Sequence, residues 1–228
     1  MIAGFIFLAG FTHKRHKAKK IESILIDYAQ NEQIFIDEAT VNKLLIQNKV
    51  PAKNISLDKL DLNLIEQHLE AHPMVENAEV YIDIQRNLHA DIKQRRPLAR
   101  VLGSEQFYID SKGVKMPLSE HYSARVPVVT GLDDNAISSA FKLIKHIKKD
   151  AFLDQNITQI KSYSNGRFGL RLRHHYFKIF VGKAEKLDQK FMNFKAFYVK
   201  AKKDSLLHQY KRIDLQYGNQ VVCEKIES

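Results

Sequence analysis

Histidines, carboxylates and one cysteine are the side chains here whose types could support catalysis or metal binding, and their spacing supports neither. His13 and His16 stand three residues apart, but inside the run THKRHKAKK (12–20), whose cations repel a divalent ion. His174 and His175 are adjacent at the joint between two strand patterns, and neighbours on a strand point to opposite faces. Asp110 opens the stretch DSKG (110–113) with one carboxylate, too few for calcium and well suited to a turn. Asp133 and Asp134 precede an apolar periodic segment and read as helix caps. Cys223 is the only cysteine, so neither an intrachain disulfide nor a thiolate zinc cluster is available. No GxSxG, Walker loop, HExxH or GxGxxG occurs. Reactive groups do not converge, and the expectation is a non-enzyme with no metal and no cofactor.

Binding is the chemistry left. The chain has 228 residues, a net charge of +10 and a pI near 9.5, with 44% hydrophobic residues. That suits one large or two small domains with ordinary cores. The cations are spread along the whole chain and fit an acidic protein, nucleic acid or anionic headgroups. In RFGLRLR (167–173), Arg171 and Arg173 take one parity while Phe168, Leu170 and Leu172 take the other. Sheets that bind nucleic acid mix aromatics with arginine on the exposed face, so the expectation is no nucleic acid. At the N-terminus, MIAGFIFLAGF (1–11) is apolar and the basic run follows it. Eleven helical residues span about 16 Å, half a bilayer core. A signal peptide places its charge first. Residues 1–20 therefore read as the end of a membrane anchor plus a basic juxtamembrane run.

These side chains are carried by an alternation of strands and helices. Residues 21–29 alternate as a strand. Asp37 caps a helix with Val41, Leu44 and Leu45 inward. Asn63 and Glu66 have the spacing of a capping box for a second helix, with Ile65 and Leu69 as its stripe and Pro73 as its stop. VENAEVYIDI and NLHADIK form a hairpin about Gln85–Asn87. Beyond RRPLARV (95–101) come strands in 106–118 and 125–131, then a helix capped at 133–135 and running to Lys149. ITQIKSY and RFGLRLR are joined by Asn165-Gly166, a hairpin signal. A strand at 176–182 and a helix over about 184–203 follow, the helix carrying Leu187, Phe191, Phe194, Tyr198 and Ala201 on one side. The fold class is α+β.

The chain closes on YKRIDLQYGNQVVCEK (210–225), where Ile213, Leu215, Tyr217, Val221 and Cys223 share one parity. The unbroken parity predicts one long strand, with a hairpin at Gly218-Asn219 as the alternative.

The order and spacing of these segments resemble a known family. LIEQHLEAHPMVENAEVYIDIQRNLHADIKQRRPLARV (64–101) is similar to the POTRA domain of the bacterial cell-division family FtsQ, called DivIB in some groups. The features that carry the resemblance are His72-Pro73, the V-x-x-A-x-V strand at Val75–Val80, and the Q-R-x-P-x-A-like step at Gln94–Ala99. FYIDSKGVKMPL and RVPVVTG resemble the start of that family's second, β-rich domain, and the last segment resembles its closing strand. The resemblance implies a POTRA domain at 21–100 and an FtsQ-type β domain at 101–228. It implies a single-pass protein of the cytoplasmic membrane with its domains on the outer side at the septum, although Lys14–Lys20 then depart from the positive-inside tendency. It also implies a non-enzymatic scaffold that supports septal peptidoglycan synthesis. Such a scaffold holds small coiled-coil proteins of the FtsB and FtsL kind by adding a strand at its terminal edge, and meets other divisome components through the POTRA domain. Tyr217, Gly218, Asn219, Gln220, Val221 and Val222 are then the partner-binding residues, with Arg167 as an ion-pair donor. The alternatives are another POTRA-bearing assembly protein that binds client strands, and a basic nucleic-acid-binding module.

Overall fold

The computed structural model describes residues 20–29, 34–47, 60–218 and 220–226. Among these, the strands form two sheets and the chain divides into two compact units. Unit 1 holds the residues up to Arg95 together with Ser119–Ser123, and unit 2 holds the rest.

Unit 1 is built from β1 (Ser23–Tyr28), α1 (Glu38–Gln47), α2 (Leu62–Glu70), β2 (Val75–Ile82) and β3 (Asn87–Gln94). The sheet order is β1-β3-β2, with β1 parallel and β2 antiparallel to β3. Asp37 starts α1, its Oδ1 accepting the Thr40 N–H at 2.9 Å. Val41, Leu45, Ile65 and Leu69 are buried, as are Ala78, Val80, Leu88, Ala90 and Ile92 from the strands. The α2 cap differs from the sequence expectation: Asp61, not Asn63, accepts the Leu64 N–H, at 3.1 Å. The helix starts two residues earlier, which frees Glu66 for another partner.

Gln94 is a buried polar anchor, its Oε1 accepting the N–H groups of Phe35 at 2.7 Å and Ile36 at 3.1 Å. Gln94→Leu strands both donors and is expected to lower the stability of unit 1 by about 2–4 kcal/mol in denaturant unfolding. An unchanged midpoint contradicts this role. On the solvent-facing side, Asp83 accepts the Asn87 N–H and Nδ2, both at 2.8 Å, and pairs with His89 Nε2 at 3.0 Å. Burial pushes its carboxyl up, but those bonds outweigh it and hold the pKa near 2 against an ordinary 3.8. A depressed carboxyl stabilises the fold above its unfolded value and loses that effect as pH falls. Unit 1 is therefore expected to weaken between about pH 4 and pH 2. Asp83→Asn should flatten that limb of an acid titration, and an unaltered profile counts against the assignment.

Unit 2 contains β4 (Pro97–Leu102), β5 (Phe107–Asp110), β6 (Lys115–Met116), β7 (Val128–Thr130), α3 (Ile137–Lys149), α4 (Ala151–Asn156), β8 (Ile157–Tyr163), β9 (Arg167–Leu172), β10 (Lys178–Gly182), α5 (Leu187–Lys203), β11 (Tyr210–Asp214) and β12 (Val222–Lys225). The sheet order is β12-β11-β10-β9-β8-β7-β4-β5-β6. Three neighbouring pairs are parallel: β4 with β7, β7 with β8, and β10 with β11. The latter two pairs are reached through helical crossovers, as parallel neighbours require. Ala140, Leu143, Ile144 and Ile147 of α3 join Phe191, Phe194 and Tyr198 of α5 in one core with Ile160, Phe168, Leu170, Ile179, Val181, Ile213 and Leu215 of the sheet.

Two expectations are corrected. The terminal segment is not one long strand: β11 and β12 are antiparallel arms of a hairpin. The single-pass location in the cytoplasmic membrane, with the domains outside it, is not supported, because no helix among the described residues is long and apolar enough to cross a membrane. Residues 1–19, which carried that expectation, lie outside the described residues.

Candidate functional site

The hairpin is fixed by one carboxylate. Asp214 is only 7% exposed. Its Oδ1 accepts the Gln216 N–H at 3.0 Å, starting the turn. Gln216 Nε2 donates to both oxygens at 3.1 Å, and an Arg212 Nη to Oδ2 at 2.8 Å. The Leu215 N–H donates to Phe180 O at 2.9 Å, holding the end of β11 on β10. The chain then turns through Tyr217 and Gly218, whose φ of 52° lies in the left-handed region. The Gln220 N–H closes the turn on Tyr217 O at 3.1 Å, and Asn193 Nδ2 of α5 donates to Gly218 O at 3.2 Å. Gly182 lets the Gln216 side chain approach: a Cβ there would lie 2.6 Å from Gln216 Cγ.

β12 lies at one edge of the sheet, with β6 at the other. The Ile226 N–H donates inward to Gln209 O at 2.9 Å. Alternation in an antiparallel ladder then turns the N–H groups of Val222 and Glu224 toward β11 and those of Cys223 and Lys225 toward the open side. The outward amides form a strand-pairing template. Cys223 itself is half-buried, and burial pushes its thiol up, away from nucleophilic chemistry.

Beside this edge the register aligns a polar file across five strands, Gln159, Arg171, Lys178, Arg212 and Glu224, of which the last four are charged. Three adjacent cations repel one another in such a row. Arg212 lies over the Phe180 ring, 4.5 Å from its centroid, and Tyr163 meets Phe180 edge-on at 5.6 Å. Together they line a shallow groove of about 990 Å³. The sequence reading missed this face because it weighed β9 alone. Arg171 is indeed separated from Phe168 along its own strand, but neighbouring strands place Phe180 and Tyr163 in the same groove as Arg171. The signal was in YFKIFVG and YKRID, where Lys178, Phe180 and Arg212 take the parity opposite to Ile179 and Ile213.

The expected contact residues fall as follows. Tyr217, 53% exposed, and Gly218 are in the turn. Asn219 lies outside the described residues. Gln220 is exposed, but its N–H is used within the turn. Val221 packs half-buried on the core, and Val222 opens β12. Arg167 begins β9, three strand positions from β12 or about 14 Å across the sheet. The register from Phe168 to Gly182 and from Phe180 to Asp214 puts Arg167 at the turn end. Cys223, Glu224 and Lys225, which form most of β12, were not among the expected residues.

His175 is a packing group. Its Nε2 bonds Tyr198 Oη at 2.9 Å, and its ring stacks on Phe177. Among the described residues no His, Cys, Asp or Glu group is placed to hold a metal ion.

Residues 96–224, more than half of the chain, match the family described as FtsQ/DivIB, C-terminal related. Residues 16–93 match the POTRA-like domain. Comparison with curated proteins returns no match.

Proposed function

The chain belongs to the FtsQ/DivIB C-terminal-related family, and from that premise we propose that it is a non-enzymatic scaffold of bacterial cell division that recruits small coiled-coil division proteins of the FtsB and FtsL kind by strand addition along β12. The observation that carries this reading is the edge position of β12, with its alternate amides turned outward. Backbone bonds along that edge supply affinity. Tyr217, Gly218, Asn219, Gln220, Val221 and Val222 supply register. Arg167 and the file Arg171–Lys178–Arg212 favour acidic side chains on the partner. The POTRA-like unit takes other division components. The test is a calorimetric titration of the full chain with the FtsB-like protein of the same organism. Saturable binding that weakens with salt is expected; no heat at any ratio, from a folded chain, sinks the reading.

A second reading rests on the same groove. Cations interleaved with Phe180 and Tyr163 on an open sheet face also suit single-stranded nucleic acid. It requires salt-sensitive binding of an oligonucleotide, and none at low salt disposes of it.

A further inference from the structure

We propose that Glu66 and Glu70 latch the β2 edge of unit 1 shut against strand addition. Among the described residues β2 is the longest strand at a sheet edge, eight residues against four in β12. A long open edge invites pairing with another chain. The Asp83 N–H donates to Asn87 O at 3.1 Å, so alternation turns the N–H groups of Tyr81 and Glu79 toward β3 and those of Val80 and Ala78 away from it. By the same alternation the Ile82 N–H also turns outward; of these amides, the two nearer the middle of the strand are taken by α2. The Val80 N–H donates to Glu66 Oε1 at 2.8 Å, and the Ala78 N–H to Glu70 Oε1 at 3.2 Å.

The fit is geometric. Residues four apart on a helix are about 6.0 Å apart along its axis, and residues two apart on a strand about 6.7 Å. One turn of α2 therefore matches one repeat of β2, and the two elements run in opposite directions, Glu66 on Val80 and Glu70 on Ala78. Ile65 and Leu69, one residue before each glutamate, are buried and hold the helix in place. An ionised carboxylate is a stronger acceptor than the backbone carbonyl of an incoming strand. A strand can add here only by displacing both carboxylates. The latch thus directs strand addition away from unit 1. Its existence does not depend on the partner assigned to β12.

With the latch removed, the occupant that the edge fits is β2 of a second copy, paired across a two-fold axis. The test compares the full chain with its Glu66→Ala/Glu70→Ala variant by amide hydrogen exchange and sedimentation. Exchange at Ala78 and Val80 is expected to accelerate about tenfold or more, as loss of a charge-assisted bond implies, with the Leu88 and Ala90 amides unaffected. Concentration-dependent self-association beyond that of the wild type should appear. The Glu66→Gln/Glu70→Gln variant keeps neutral acceptor oxygens and should accelerate less than the Ala variant, which separates loss of the acceptors from loss of charge. Wild-type exchange at Ala78 and Val80 in the folded Ala variant, or no added self-association, overturns the proposal. Acceleration spread over the whole unit marks a general loosening, and the single Glu66→Ala variant then decides: faster exchange at Val80 alone upholds the latch, and its absence overturns it.

Discussion

Replacing Cys223 with proline is expected to abolish partner recruitment while leaving unit 2 folded. Proline removes one backbone donor and fixes φ near −65°. At Cys223 the lost N–H points to the open side of β12, where a proline is tolerated by the sheet itself. An incoming strand loses that bond and meets the ring, so the dissociation constant should rise at least about tenfold. Val222→Pro is the contrasting variant. Its N–H faces β11, so the same substitution one residue earlier breaks the hairpin and lowers stability. Cys223→Ala should bind almost as the wild type, because the claim concerns the backbone. Wild-type affinity in Cys223→Pro would remove β12 as the docking edge.

The second large effect is at Asp214. Asp214→Ala takes the acceptor from the Gln216 N–H, from Gln216 Nε2 and from Arg212 in one step. Arg212 is then left beside Lys178 with no carboxylate neighbour in the turn. The expected loss is about 3 kcal/mol, read from denaturant unfolding of the full chain. Asp214→Asn keeps an oxygen for the Gln216 N–H and should lose less. Partner affinity should fall in both, since the turn that sets β12 on β11 loosens. A full-strength hairpin in Asp214→Ala contradicts the role given to this carboxylate.

Much of the architecture is legible along the sequence because local rules and burial agree there. Asp37 caps α1, Asn165-Gly166 turns β8 into β9, and the stripe Phe191, Phe194, Tyr198 and Ala201 faces the core. The terminal hairpin is illegible by parity for a definite reason. Asp214 pairs with Val222, and cross-strand partners lie on the same face. They are eight positions apart, an even number, so the two-residue alternation runs through the turn unbroken. Only Gly218-Asn219 signalled the reversal. The α2 start was misplaced because the spacing of Asn63 and Glu66 mimics a capping box, whereas Glu66 serves Val80 across a distance in sequence that no local rule contains. The short α4 escaped notice because Asp150 both ends α3 and caps α4, leaving six residues with little periodicity to read. The cation file and its aromatic neighbours come from four strands, β8 to β11, so β9 read alone does not display them.

The measurement that bears most directly on strand addition is amide exchange along β12 in the full chain, with and without a saturating FtsB-like partner. The account predicts that the Cys223 and Lys225 amides gain strong protection on binding. Those of Val222 and Glu224, already bonded to β11, should change little. Tight binding with no added protection at Cys223 and Lys225 would contradict it, and would place the partner elsewhere on the molecule.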